Sequence, residues 1–426
     1  MKNRQVLFPA LLSLGVRGFG AIAALIFSIF LTREYGPDIS GLFFLTFSVY
    51  SLIAVFVRVG LDNSLFRFIG SSSSAGEWNT VNNVMNKSLS IVFCTALLFS
   101  LFFYLSADFI ADIVFNDSRL SDFLRVMSPF ITLLAISTLL AMGLQGRHRT
   151  LLSVLIINVT TNVLMVIFIF FGDILPAELP SIFVIASGLT TLLALIFWLH
   201  GLPKEQGDNI TWQVLFSSCL PLWLVMFVGQ LIQWSGNIFL GIWSSPSEVA
   251  LFTAAQRTAM LMIFVLTAIN TVVAPKFAHL HKSQNYEELA NVAYYSARLL
   301  SVVSLPILAV MVIFPKEILT LFGDEFDEAA IYLQILAIGQ FINAITGSVG
   351  YLLSMSGNEK DLRNSSIISG LLVITLSLIL VPKFNGLGAA IAVAISIAMQ
   401  NLLAVHWVKK RLGINMLMAW ANRLQL

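Results

Sequence analysis

The chain has 426 residues, of which 58% are hydrophobic and only 11% charged, with a mean hydropathy of +0.89 and a net charge of +2. Soluble domains carry roughly 25% charged residues, so the composition excludes a water-soluble fold, and no nucleic-acid partner is expected. The longest polar stretch, 62–87, is too short to hold a core of its own.

Taken in chain order, apolar segments long enough to cross a bilayer fall at 8–32, 41–61, 88–107, 123–144, 151–171, 181–200, 213–243, 250–274, 297–314, 330–355, 365–381 and 387–408. These predict an all-α integral membrane protein of about twelve helices. The first is read as an uncleaved span, because no small-residue cleavage site precedes Arg33. Only Ser244-Ser245-Pro246-Ser247-Glu248 separates the seventh span from the eighth. Ser71 to Ser74 and the polar run behind them are expected to form a flexible link and a short interfacial helix. Lys409-Lys410-Arg411 is expected to anchor the last helix at anionic headgroups.

Lysine and arginine fix the expected orientation. With a cytoplasmic N-terminus, sixteen basic residues face the cytoplasm and five the opposite side, so both termini are expected to be cytoplasmic. Three arginines then remain within spans, Arg17, Arg58 and Arg257, and no carboxylate does. An intramembrane cation is costly, on the order of 3 kcal/mol on insertion scales, and marks a functional-site hypothesis.

Arg17 shares a helix face with Ser13, Gly20, Ala21, Ala24 and Ser28, while Phe19, Ile22, Ile26, Ile29 and Phe30 lie opposite. Arg58 lies one turn from Asp62 and could pair with it at i,i+4. Arg257 has Gln256 beside it, and Gln233–Asn237, Gln340–Asn343 and Asn158–Asn162 share faces of their own helices. Each amide stripe can be explained by interhelical hydrogen bonds. Their number, with the arginines, predicts a polar central cavity bound by Arg17, Arg58, Arg257, Gln233, Asn237, Gln256, Gln340 and Asn343.

The halves also echo each other. FPALLSLG matches CLPLWLVM, GLFFLTFSVY matches ALFTAAQRTA, and the run IVFNDSRLSDFLRVMSPFI matches TLFGDEFDEAAIYLQILAI. The spacing of about 210 residues predicts two parallel-repeat six-helix bundles, 1–205 and 206–426, around the central cavity.

REYGPDISGLFFLTFSVYSLIAVFVRVGLDNSLFRFIG (33–70), ILTLFGDEFDEAA (318–330), LLSMSGNEKDLRNSS (352–366) and VPKFNGLGAAIAVAIS (381–396) resemble the polysaccharide-biosynthesis membrane proteins. These are the Wzx-type O-antigen flippases of the MATE/MOP superfamily. The resemblance implies a cationic lumen accepting an undecaprenyl-diphosphate-linked oligosaccharide, alternating access, an inner-membrane location, and contacts with membrane lipids and with polysaccharide polymerase and chain-length machinery. It implies no cofactor. MATE drug exporters usually use intramembrane carboxylates, which the predicted spans lack. The competing readings are an exporter of another anionic or amphipathic molecule and a membrane polymerase or ligase. Against the last, every outward loop is roughly twenty residues or fewer. Cys94 and Cys219 read as small packed hydrophobes, and the five histidines show no metal-ligand pattern.

Overall fold

The protein is seen in a computed structural model that describes residues 2–201 and 210–416. Helix α1 runs Lys2–Val57 and is interrupted at Gly36 (φ 70°, ψ 177°). The cause is local: Pro37 disfavours helix at the residue before it, and glycine alone takes the positive φ cheaply. Ser40 Oγ donates to the Gly36 carbonyl at 2.7 Å. Next come α2 (Leu61–Ala75), α3 (Trp78–Leu105), α4 (Leu120–Met127), α5 (Pro129–Gly146), α6 (Thr150–Phe171) and α7 (Leu179–Leu199).

After the link, α8 spans Trp212–Trp243, α9 Pro246–Ala259, α10 Leu261–Lys282, α11 Tyr286–Ile313, α12 Ala330–Ile345, α13 Val349–Met355 and α14 Glu359–Leu412. The break between α8 and α9 is well capped: Pro246 stands at the first helical position, and Ser245 Oγ accepts the Glu248 N–H at 3.4 Å. Helix α14 is broken at Asn385 (φ 45°, ψ −128°). Glu248 braces that break, accepting from the Gly386 N–H and from the Tyr332 hydroxyl, both at 3.2 Å. Among the described residues, ten helices are long and apolar enough to cross a membrane. Two of the ten are the helices broken at Gly36 and Asn385, and this recovers the twelve expected straight segments. The chain is an all-α multi-pass membrane protein.

Its contacts form two compact units, Met1–Gln230 and Leu231–Leu426. The expected boundary at 205/206 lies in the undescribed link, ahead of this division inside α8. The first half of α8 stays with the first unit because Trp223 Nε1 donates to the Phe56 carbonyl at 3.2 Å and its ring packs on Phe56.

Each unit is organised around the same member of the repeat. In the first, α5 packs against α1, α2, α3, α6 and α7; in the second, α12 packs against α9, α10, α11 and α14. Both central helices are small-residue helices that let backbones approach. A Cβ at Gly146 would lie 2.8 Å from Ile69 Cγ2, and one at Gly339 would lie 2.8 Å from Ala394 Cβ.

One expectation about a polar segment is corrected. Ser71 to Ser74 are the last turn of α2, and α3 continues unbroken from Trp78, so there is neither a flexible link nor a separate interfacial helix. The serines remain helical because their hydroxyls bond backbone carbonyls, Ser74 to Gly70 at 2.8 Å and Ser73 to Gly146 at 3.0 Å. Arg411 is exposed with Lys409 and Lys410, and its Nε also donates to the buried Asp361 at 2.7 Å, joining the two ends of α14. Neither cysteine is in a disulfide, Cys94 being exposed and Cys219 buried.

The loop after α5 shows how an arginine at a span end can be structural. Arg147 donates to the carbonyls of Trp198 at 2.6 Å and Gly201 at 2.8 Å, and lies over the rings of Trp198 and Trp78 at 5.1 and 5.8 Å. Burial, and after it the neighbouring Arg149, lowers its pKa from the ordinary value. Arg147→Ala leaves those carbonyls without their charged donor, at a cost of roughly 3 kcal/mol. The expected result is a melting temperature lower by about 3 °C for the purified protein. Arg147→Lys recovers only part of it, because one ammonium cannot serve both carbonyls and both rings.

Candidate substrate-binding site

In the first unit, Arg17 is half-buried on α1, and the sides of that helix differ as its sequence predicts. Phe19 and Ile22 are 56% and 54% exposed, while Gly20 and Ser28 are buried. Ser13 lies outside the described side chains. Gly20 is the contact point with α6: a Cβ there would sit 2.7 Å from Asn158 Cβ and 2.8 Å from the Asn158 carbonyl. Asn158 belongs to a π-helical turn, Leu155–Thr160, inside α6. Such turns insert one residue into the helical register and often occur at functional positions. Asn158 and Asn162, half-buried, donate to carbonyls of their own helix at 3.2 and 3.0 Å. The unit therefore brings Asn158 against α1 three residues from Arg17. Among the described residues, none of the ion pairs involves Arg17.

Arg58 is placed differently. It ends α1 just before Val59 (φ 51°) and Gly60 (φ 74°) turn the chain into α2. Its Nε donates to Asp62 at 2.9 Å, and both side chains are buried. The i,i+4 pairing suggested by the spacing is present, so the charge of Arg58 is compensated within the protein.

In the second unit, α8 and α9 meet through their polar faces. Thr253 Oγ1 donates to Asn237 Oδ1 at 3.2 Å, and Gln256 Nε2 donates to the Gln233 carbonyl at 2.7 Å. Asn237 is fully buried and Gln256 nearly so, whereas Arg257, the next residue, is half-buried. The amides thus hold the two helices together beside Arg257. Gln340 and Asn343 form a pair on α12, Asn343 Nδ2 to Gln340 Oε1 at 3.4 Å, and α12 packs on α9. The eight predicted residues accordingly divide between the units, Arg17 and Arg58 in the first and the other six in the second. Among the described residues, no cluster of His, Cys, Asp and Glu could hold a metal ion.

The sequence reading noted the shared face of Asn158 and Asn162 but left both out of the candidate set. Their approach to α1 depends on the π turn and on Gly20. A glycine three residues after an intramembrane arginine was the available sign of close helix approach.

Comparisons with known proteins agree with this architecture. The family model for polysaccharide biosynthesis protein matches residues 10–281, and the MatE model matches residues 221–379. The probable low-salt glycan biosynthesis flippase Agl15 of Haloferax volcanii is 23% identical over 93% of this chain and 82% of its own length. Among solved structures, a multidrug resistance MATE family transporter of the MOP superfamily superposes with TM-score 0.77 at 16% identity, covering 95% of this chain and 98% of its own. The lipid II flippase MurJ superposes with TM-score 0.70 at 15% identity, covering 96% of this chain and 92% of its own. With a model matching well over half of its length, the chain belongs to the polysaccharide biosynthesis protein family.

Proposed function

We propose that the protein is a flippase, and not an enzyme, that carries an undecaprenyl-diphosphate-linked oligosaccharide from the cytoplasmic to the periplasmic leaflet. The observation that carries this reading is Arg17: a half-buried cation in a membrane-spanning helix, with no ion pair among the described residues, three residues before the Gly20 contact with Asn158. A diphosphate cannot cross about 30 Å of hydrocarbon unaided. A guanidinium binds phosphate oxygens through two parallel hydrogen bonds and keeps its charge when desolvated. Asn158 and Asn162 suit sugar hydroxyls or phosphate oxygens on the same side, and Arg257 with Gln256, Gln340 and Asn343 offers similar chemistry from the second unit. The two repeats alternate the access of these groups to the two leaflets, the polyprenyl tail staying in lipid. Both termini face the cytoplasm, and the polymerase and chain-length machinery receive the product. O-antigen is the glycan class that the resemblance supports.

The likeness to a multidrug MATE transporter and the MatE match favour a second reading, export of a small anionic molecule. One experiment separates the two. A deletion strain is expected to accumulate a lipid-linked oligosaccharide on the cytoplasmic face, detected by its resistance to an externally added glycosidase until the membrane is opened. Normal delivery of that lipid, with altered sensitivity to anionic compounds, would establish the exporter instead.

A further inference from the structure

The second unit carries a groove of about 460 Å³ on the outer side of the α10–α11 hairpin. Its walls are apolar, with Val272 and Tyr295 47% and 57% exposed and Leu299 beyond them. Its cation Lys276 and the amide of Asn291 lie toward one end, and the buried Ser296 beyond them spends its hydroxyl on the Ala293 carbonyl. Lys276 stands six residues before the end of α10 and Asn291 five after the start of α11. At 1.5 Å per residue, both lie about 7–9 Å from the connecting turn, and the apolar walls continue about 12 Å deeper. The inward faces of the same helices, through Phe277, Ala293 and Ala297, are packed in the core.

We infer that this groove binds one anionic phospholipid of the bilayer, its phosphate at Lys276 and its acyl chain along Val272, Tyr295 and Leu299. The argument is charge and polarity matching. Lys276 is exposed, none of the ion pairs among the described residues involves it, and no carboxylate lines the groove. The turn of the hairpin puts the ammonium near the headgroup level while the walls lie in hydrocarbon, so the groove repeats the polarity of a lipid from headgroup to tail. The occupant is a resident lipid of one leaflet, independent of what the protein transports.

The test uses the full-length protein in neutral detergent, with native mass spectrometry reading binding of phosphatidylglycerol and of phosphatidylcholine with the same chains. Phosphatidylglycerol is expected to bind more tightly. K276Q is expected to weaken phosphatidylglycerol about fivefold, the equivalent of about 1 kcal/mol per cation near the headgroups, and to leave phosphatidylcholine unchanged. V272W, which fills an exposed wall, is expected to abolish the tight site for phosphatidylglycerol. Equal binding of the two lipids, or an unchanged K276Q, overturns the proposal. So does a polyprenyl monophosphate that displaces phosphatidylglycerol at lower concentration, which would assign the groove to the carrier lipid. Glycan delivery enters none of these readouts, so the groove and the proposed transport stand or fall separately.

Discussion

Cells in which Arg17→Ala replaces the native protein are expected to display about a hundredfold less surface glycan, with the variant still present in the membrane at native level or above. The magnitude follows from two charge-assisted hydrogen bonds to phosphate, together on the order of 3 kcal/mol, at 1.4 kcal/mol for each factor of ten. The membrane level is the discriminating control. Removing a cation from a span lowers its insertion cost, so a variant lost through misfolding would contradict the reading as clearly as one with normal glycan. Arg17→Lys is expected to restore part of the flux, because lysine keeps the charge but contacts phosphate as a point rather than a fork. Asn158→Ala should act in the same direction more weakly, as loss of neutral hydrogen bonds costs about 1 kcal/mol each.

The second large effect concerns Asp62 and is one of stability. Asp62→Ala strands the buried Arg58 guanidinium, whose Nε now donates at 2.9 Å to the carboxylate, and breaking a buried pair in this way costs about 3–5 kcal/mol. The variant is expected to melt well below the native protein in detergent. The double replacement Arg58→Met with Asp62→Leu should return most of that loss, since apolar residues of similar volume often substitute for a buried pair without penalty. If the double variant is stable and still delivers glycan, Arg58 serves the α1–α2 turn; if it is stable and inactive, Arg58 acts on the substrate despite its partner. Arg17 and Arg58 are thereby separated by experiment on the ion pair that one of them makes and the other does not.

Much of this architecture could be read from residue order. Hydropathy found the twelve segments because bilayer thickness sets helix length. The i,i+4 spacing of Arg58 and Asp62 anticipated their pairing because helix geometry places such residues together. The repeat pointed to equivalent halves, and the structure answers with α5 and α12 as the central helices of the two units. Polarity gave the opposite sides of α1, with Phe19 and Ile22 exposed and Ser28 buried.

Other features depend on contacts between segments far apart in the chain. Ser71 to Ser74 look like a linker by composition, yet they finish a helix because Ser73 reaches the Gly146 carbonyl 73 residues away. Lys409-Lys410-Arg411 reads as one basic anchor, and Arg411 also pairs with Asp361 across 50 residues. A π turn leaves no periodic signature, so the position of Asn158 against Gly20 emerges only when α1 and α6 pack. The amides of α8 and α9 suggested a wet face, and packing turned Asn237 and Gln256 toward each other's helices. Local chemistry and solvent therefore set which segments span the membrane, where they break and which arginines lie inside. Only tertiary packing could decide which of those polar groups satisfy one another and which, like Arg17, join none of the ion pairs among the described residues, because a buried polar group's partner is chosen by three-dimensional proximity and not by spacing in the chain.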